Sequence, residues 1–269
     1  MKRRHRHERI LELLQTEELD IERLASTLNV SVATVRRDLG QLAEEGKITR
    51  TYGGAVLPPT RLERSLQERA MIAKREKEAI GQLAATHVIE GDTLVLDAGT
   101  TTGALARHLR HFGHLKVITN GFSVMLALAE AKNIEVILLG GTLRYISYGV
   151  VGPYAELVLR RITAKKTFVS ADGIVAGRGL CEATAEQAAL KALMLDQTKE
   201  VYILADSTKL GDDYSSFWTP FPETWTLITD SGATESQLAP FRASPGVRIE
   251  IGQIKDEPRM DANTEPNRR

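Results

Sequence analysis

Residues 19–54 read LDIERLASTLNVSVATVRRDLGQLAEEGKITRTYGG, and this stretch carries two short amphipathic helices followed by a β-prone run. Asp20 can cap a helix by offering its carboxylate to free backbone N–H groups, and Ile21, Leu24, Ala25 and Leu28 then recur at helical spacing. Asn29 and Val30 interrupt the pattern. Ser31 can cap a second helix, on which Val32, Val35, Leu39 and Leu42 form one apolar stripe. With that stripe turned inward, Ala33, Thr34, Arg36 and Arg37 face elsewhere. These residues suit a DNA groove: a small side chain permits close approach, a hydroxyl bonds phosphate or a base edge, and an arginine fork grips phosphate or guanine O6 and N7. A solvated helix face would carry the same residues. The run that follows favours DNA, because Gly46, Lys47, Ile48, Thr49, Arg50, Thr51, Tyr52, Gly53 and Gly54 suit a small hairpin with Lys47, Arg50 and Tyr52 along a phosphate backbone. Asp38 is expected to be a structural ion-pair partner, since a carboxylate facing phosphates would be repelled.

The run Ser31-Val32-Ala33-Thr34-Val35-Arg36-Arg37-Asp38-Leu39, followed by Gly46, Arg50 and Tyr52-Gly53-Gly54-Ala55, closely resembles the DeoR-type bacterial transcriptional regulators. The resemblance implies an operator-binding winged helix-turn-helix, with Ser31, Ala33, Thr34, Arg36, Arg37, Lys47, Arg50 and Tyr52 at the DNA. The histidine usual in the family before the glycine pair is Tyr52 here, a departure that touches one wing contact.

Composition bounds the rest. A chain of 269 residues suffices for about two domains, its 42% hydrophobic content can fill a core, and 35 Lys and Arg balance 35 Asp and Glu. The balance is uneven: Lys2, Arg3, Arg4, Arg6 and Arg9 stand against Glu8 alone in residues 1–9. A basic arm is therefore expected before the first helix, either touching phosphate in a salt-dependent way or fraying in solvent. The single Cys181 excludes an intramolecular disulfide framework and suits a reducing compartment. No apolar run approaches membrane-spanning length and no signal-type core follows the first charges, so a cytoplasmic protein without membrane contact is expected.

Ile10, Leu13 and Leu14 predict a first helix over about 4–16. Leu57-Pro58-Pro59-Thr60 stops regular structure, because proline lacks a donor and restricts its predecessor. The expected organisation is a DNA-binding domain over 1–57, a linker and charged linker helix over 58–86, an α/β domain over 87–253 and a disordered tail over 254–269. The linker helix would pack by Leu62, Leu66, Ile72, Ile80 and Leu83, or lie solvated.

From Asp92 onward, β-branched runs at 93–97, 116–120, 134–140, 166–172, 201–206, 225–230 and 247–251 alternate with helical segments. That alternation predicts a doubly wound, mostly parallel α/β sheet, whose ligands bind beyond the carboxyl ends of the strands where strand order switches. Asp97-Ala98-Gly99-Thr100-Thr101-Thr102-Gly103 opens a helix after the first strand. Its N–H groups and hydroxyls suit a phosphate, and an ordinary capped turn would use the same residues. The turn lacks a P-loop lysine and is not GxGxxG, which argues against ATP and NAD. Asn120, Gly140, Arg144, Asp172 and Lys209 follow other strands. Asn120 and Asp172 suit sugar hydroxyls, and Arg144 and Lys209 suit phosphate, although each alone is also an ordinary turn residue. Together they point to a small phosphorylated polyol. Thr184 and Gln187 fit a capping box for a helix that carries Lys191, which faces either an anion or solvent.

This half again resembles the DeoR-type regulators, whose C-terminal domain is a sugar-phosphate sensor similar to ribose-5-phosphate isomerase; the likeness runs from about residue 5 to about residue 230. It implies an effector pocket at Asp97, Gly99, Thr100, Thr101, Asn120, Gly140, Arg144, Asp172, Lys191 and Lys209. The family often has two acids where this chain has Glu186-Gln187, and the isomerases carry a further acidic pair where it has Ile174, Val175 and Ala176. That substitution argues against catalysis. The expected protein is a non-enzymatic regulator, a repressor of carbohydrate use, binding double-stranded operator DNA as a homodimer or homotetramer under control of a sugar phosphate, with no other cofactor and no metal. Two alternatives stand beside it: an α/β domain that only oligomerises, and a sugar-phosphate isomerase-like enzyme.

Overall fold

The computed structural model describes residues 3–16, 19–44, 48–51, 54–56 and 63–254. Lys47, Tyr52, residues 57–62 of the expected linker and the expected tail from residue 255 lie outside the described residues. The chain divides into two compact units, Met1–Glu63 and Arg64–Arg269.

In the first unit, α1 (Arg3–Thr16), β1 (Leu19–Asp20), α2 (Ile21–Leu28), α3 (Val32–Glu44), β2 (Thr49–Arg50) and β3 (Gly54–Val56) follow in order. Asp20 caps α2 by accepting a 2.7 Å hydrogen bond from the Arg23 N–H. Asn29 ends α2 in the left-handed region, at φ 51°, a conformation its short polar side chain tolerates better than most. The apolar stripes of α2 and α3 meet in one core with Ile10 and Leu14 of α1 and Ile48 before β2. The β2–β3 hairpin pairs Thr49 with Val56 and Arg50 with Ala55. A third strand, absent from the sequence-based expectation, joins it: β1 pairs Leu19 with Ala55 and Asp20 with Gly54. Two residues are too few to show the alternation by which strands are read.

The expected basic arm is instead part of α1, which starts at Arg3. Arg6 and His7 turn inward to Asp38, at 2.5 Å from Arg6 Nε to Oδ2 and 3.2 Å from His7 Nε2 to Oδ1. Asp38 is thus the structural ion-pair partner expected, but of α1 rather than of the neighbouring arginines. Burial alone would raise its carboxyl; the Arg6 and His7 hydrogen bonds and charges outweigh that and hold it below its ordinary range.

The second unit opens with α4 (Leu66–Met71) and α5 (Lys74–Ala85), then β4 (Thr93–Leu96), α6 (Thr100–Leu109), β5 (Leu115–Thr119), α7 (Phe122–Leu128), β6 (Ile134–Leu138), β7 (Thr142–Arg144) and β8 (Gly149–Val151). It continues through α8 (Pro153–Leu159), β9 (Ala164–Val169), β10 (Gly173–Val175), β11 (Gly179–Glu182), α9 (Ala185–Asp196), β12 (Thr198–Leu204), β13 (Phe217–Thr219), β14 (Trp225–Asp230), α10 (Glu235–Arg242) and β15 (Val247–Gly252). The seven longer runs legible in the sequence form one sheet in the order β15-β14-β12-β9-β4-β5-β6, and every neighbouring pair is parallel. The chain leaves β4 toward β5 and β6, then returns to β9 on its other side, so the switch in strand order lies between β4 and β9.

Successive residues of a strand point to opposite faces, and both faces here are covered. Leu94, Leu96 and Phe168 pack with Ile80, Leu105 and Val124 of α5, α6 and α7. Val95, Val169 and Ile203 pack with Leu159, Met194 and Phe241 of α8, α9 and α10. The stretch expected as a linker helix is split: Ala73, at φ 50°, separates α4 from α5, and Ile80 of α5 is fully buried against the sheet. At Gly81 a Cβ would stand 2.8 Å from the Ala104 backbone, so α5 and α6 touch main chain to main chain. Leu62 is outside the described residues, Leu66 is half-buried, and Ile72 is exposed. Among the described residues no helix is long and apolar enough to cross a membrane.

Candidate functional site

On α3, Val35, Asp38, Leu39 and Leu42 face the core, which leaves Ala33, Arg36 and Arg37 in solvent. Gly40 continues their face one turn further and has nothing within 4 Å of where a Cβ would stand. The stripe 33-36-37-40 therefore offers two long cations beside two positions with little side chain, a profile that lets a helix lie close to an anionic surface. Ser31 Oγ accepts from the Thr34 N–H at 3.2 Å and meets Thr34 Oγ1 at 2.8 Å, so both hydroxyls first serve the start of α3. Arg50 is exposed on β2. Lys47 and Tyr52, outside the described residues, complete the set expected from sequence.

The second site lies beyond the carboxyl ends of β4 and β9, at the switch in strand order. A cavity there is lined by Arg69, Asp97, Asn120, Ser147, Asp172, Glu182, Gln187 and Lys191, with Ala98, Gly149, Ser170 and neighbouring apolar groups between them. Close backbone packing shapes it. A Cβ on Gly121 would stand 2.7 Å from Ala98 Cα, and one on Gly149 would stand 2.9 Å from Ala98 Cβ. Asn120 ties the same loops together, accepting from the Ala98 N–H at 2.8 Å and donating to the Val150 carbonyl at 3.1 Å. Its amide is a brace as much as a group available to a ligand.

Lys191 is buried at the centre. Its ammonium donates to Asp97 and to the Ser170 carbonyl and stands 3.0 Å from Glu182 Oε1. Burial opposes its charge, but Asp97 and Glu182 outweigh burial and hold its pKa above the ordinary value. For Glu182 burial wins: the carboxyl is driven well above the usual carboxylate range, against the pull of Lys191 and with the help of Asp172 and Asp97. Arg69 closes the cavity from α4, with Nη1 3.3 Å from Asp172 Oδ1.

Of the residues expected at an effector, Asp97, Asn120, Asp172 and Lys191 line this cavity. Gly99 abuts it, since a Cβ there would meet Ser170 Oγ at 2.6 Å. Gly99 also starts α6 without a side-chain cap, which leaves the first N–H groups of that helix uncapped at Thr100 and Thr101. Thr101 is fully buried and its Oγ1 has no hydrogen-bond partner among the described residues. Arg144 stands one residue back, donating to Ser147 at 3.0 Å. Lys209 donates to the Ala171 carbonyl at 2.6 Å and, like the exposed Gly140, is not part of the lining.

Two lining groups escaped sequence reading. Glu182 ends β11, a strand too short to register, and Arg69 sits in a charged run that reads as a solvated helix. Gln187 was expected to complete a capping box. Thr184 does accept from the Gln187 N–H at 3.3 Å, but the Gln187 side chain turns into the cavity, where its Oε1 is buried without a hydrogen-bond partner among the described residues. Asp97, Asp172 and Glu182 place carboxyl groups in the cavity although 174–176 carry none. Cys181 is buried beside Glu182 and its thiol is pushed up to about 11 by burial, which fits a packing role.

Comparison with known proteins gives two family matches, a DeoR-like helix-turn-helix domain over residues 6–61 and a DeoR C terminal sensor domain over residues 72–231. The HTH-type transcriptional regulator GolR of Listeria innocua is 33% identical over 250 residues, 92% of this chain and 98% of that one. The lactose phosphotransferase system repressor of Lactococcus lactis is 32% identical over 246 residues, 90% of this chain and 96% of that one. Among solved structures, a D-ribose-5-phosphate isomerase in complex with phospho-erythronic acid matches at 12% identity and a TM-score of 0.37, over 49% of this chain and 52% of that one.

Proposed function

The chain belongs to the DeoR family of helix-turn-helix transcriptional regulators, and from that premise we propose that it represses carbohydrate-use genes from a specific operator, with its DNA affinity set by a small phosphorylated sugar. The observation that carries this reading is the cavity between the ends of β4 and β9. Its carboxylates, Gln187 and Ser147 suit the hydroxyls of a polyol, Lys191 and Arg69 bring positive charge to its lining, and the uncapped start of α6 lies beside it at Gly99. The Lactococcus lactis relative is named as a lactose phosphotransferase system repressor, which supports the carbohydrate part.

On the DNA side, one of Arg36 and Arg37 reads the groove and the other anchors, Ala33 permits the close approach, and Ser31, Thr34, Lys47, Arg50 and Tyr52 supply the surrounding contacts. One small winged helix reads few base pairs, so a two-fold dimer or a tetramer would double the site. Footprinting on DNA upstream of the chain's own gene tests this: a protected, two-fold symmetric site that disappears in Arg37→Ala supports the reading, and an Arg37→Ala footprint identical to the parent's overturns it. The carboxylates around Lys191 favour one second reading, a sugar-phosphate isomerase. Turnover of pentose or hexose phosphates by the purified chain, lost in Glu182→Gln, would put that reading first.

A further inference from the structure

Helix α4 differs from every neighbour in how it is held. None of its side chains is buried, and Met71 is 81% exposed. Polar ties do the holding. Ser65 and Glu68 form a capping box at its start, and the Leu66 N–H donates to the Ile146 carbonyl at 2.7 Å. At its end the buried Lys77 ammonium donates to the Arg69 and Ile72 carbonyls, both at 2.6 Å. Ala73, in the left-handed region at φ 50°, makes a defined kink before α5. A segment held by a few polar contacts, with Leu66 half-buried and no residue fully buried, opens at far lower cost than the packed helix that follows it.

Arg69 is the one α4 side chain that lines the cavity. Its Nη1 lies 3.3 Å from Asp172 Oδ1, long for a charge-assisted pair, which prefers about 2.7–2.9 Å. Its Nε is buried with no hydrogen-bond partner among the described residues. Lys191, the other cation of the lining, is already committed to Asp97, Glu182 and the Ser170 carbonyl. A doubly charged oxyanion arriving in the cavity therefore finds in Arg69 a planar fork with an unsatisfied N–H, loosely engaged by one carboxylate.

We infer that α4 is a latch on the effector cavity: Arg69 exchanges Asp172 for the anionic group of the effector, and this exchange resets α4. The inference rests on the sensing role proposed above and adds the part that carries the signal. Leu66 lies three residues after Glu63, the last residue of the DNA-binding unit, so the chain enters the sensing unit through this helix. Lys77 sets the register of the latch by fixing its end to α5.

The test uses the full-length chain, hydrogen–deuterium exchange over residues 66–71, and DNA affinity with ribose 5-phosphate, glucose 6-phosphate, fructose 1-phosphate and inorganic phosphate as probes. In Arg69→Gln, amides of α4 should exchange about tenfold faster or more, and DNA affinity without probe should move to the value the parent reaches with its responsive probe. That variant should also bind the probe about tenfold more weakly. Asp172→Asn loosens the latch too, so its α4 should exchange faster, while its probe affinity, with Arg69 still in place, should fall less than that of Arg69→Gln. Faster exchange in both variants with the larger loss of probe affinity in Arg69→Gln is the signature of exchange at Arg69. Variants with parental exchange, parental DNA affinity and a full probe response overturn the latch and leave the sensing role standing. A parent protein whose DNA affinity ignores every probe overturns both.

Discussion

Two polar side chains show how one residue's contacts set its role. The Gln187 backbone N–H donates to Thr184 Oγ1 at the start of α9, while its side-chain Oε1 faces the cavity without a hydrogen-bond partner among the described residues. A buried polar atom without a partner costs on the order of 1–3 kcal/mol. Gln187→Leu should therefore leave the melting temperature unchanged or higher while weakening phosphosugar binding; a lower melting temperature with intact binding would make the side chain structural after all. Asp38 is the opposite case. Removing it takes the carboxylate from Arg6 and His7, so Asp38→Ala should destabilise the DNA-binding unit by about 1–3 kcal/mol in denaturant unfolding. The same contact gives an acid limit. Because the folded carboxyl is held below its ordinary 3.8, the stability it contributes is complete above that pH and is lost as pH falls through the lowered value. Asp38→Asn should flatten the acid unfolding of this unit, and an unaltered acid limb would contradict the account. The Asp38 partnership was legible only in part: a carboxylate inside a basic helix face announces an ion pair, but nothing local says that a residue 32 positions earlier provides it.

Elements were readable in proportion to their length and periodicity. The caps at Asp20 and Ser31, the stripes of α2 and α3 and all seven strands of the main sheet follow from spacing alone, because caps and buried faces need particular residue types at particular steps. The short strands did not follow. β1 has two residues, and β10, β11 and β13 have three or four; each is fixed by tertiary pairing rather than by its own pattern, and β11 brings Glu182 with it. α5 was legible in part: Ile80 and Leu83 were expected to pack, but the charged residues around them left a solvated helix open, and the narrow apolar face around Ala79, Ile80 and Ala84 packs on the sheet. The loops at the switch point make the sharpest prediction at this scale. A Cβ on Gly121 meets the Ala98 main chain at 2.7 Å, so Gly121→Ala must displace the 97–99 turn. The change should cost about 1–3 kcal/mol in thermal or denaturant unfolding and blunt the response to phosphosugar while operator binding persists. A variant with full response would show that the turn tolerates the shift.

At the scale of the whole molecule, the two units are joined by thermodynamics whatever path the signal takes. An effector that binds the DNA-competent and DNA-incompetent arrangements unequally must change DNA affinity by some factor, and operator DNA must change effector affinity by the same factor. DNA contacts made largely to phosphate should also weaken steeply as salt rises, so the comparison has to be made at one salt concentration. The pocket's position was legible in the sequence because doubly wound sheets bind ligands at one place; which side chains close it was not, because Arg69 and Glu182 arrive from elements far away in the chain. The most direct measurement is fluorescence anisotropy of the full-length chain on DNA from upstream of its own gene, at fixed salt, with and without each member of a panel of sugar phosphates. The account predicts tight, sequence-dependent binding that one phosphorylated sugar shifts by about 5–150-fold and its unphosphorylated form does not. Binding that is equally tight on random DNA, or that no sugar phosphate alters, would contradict it.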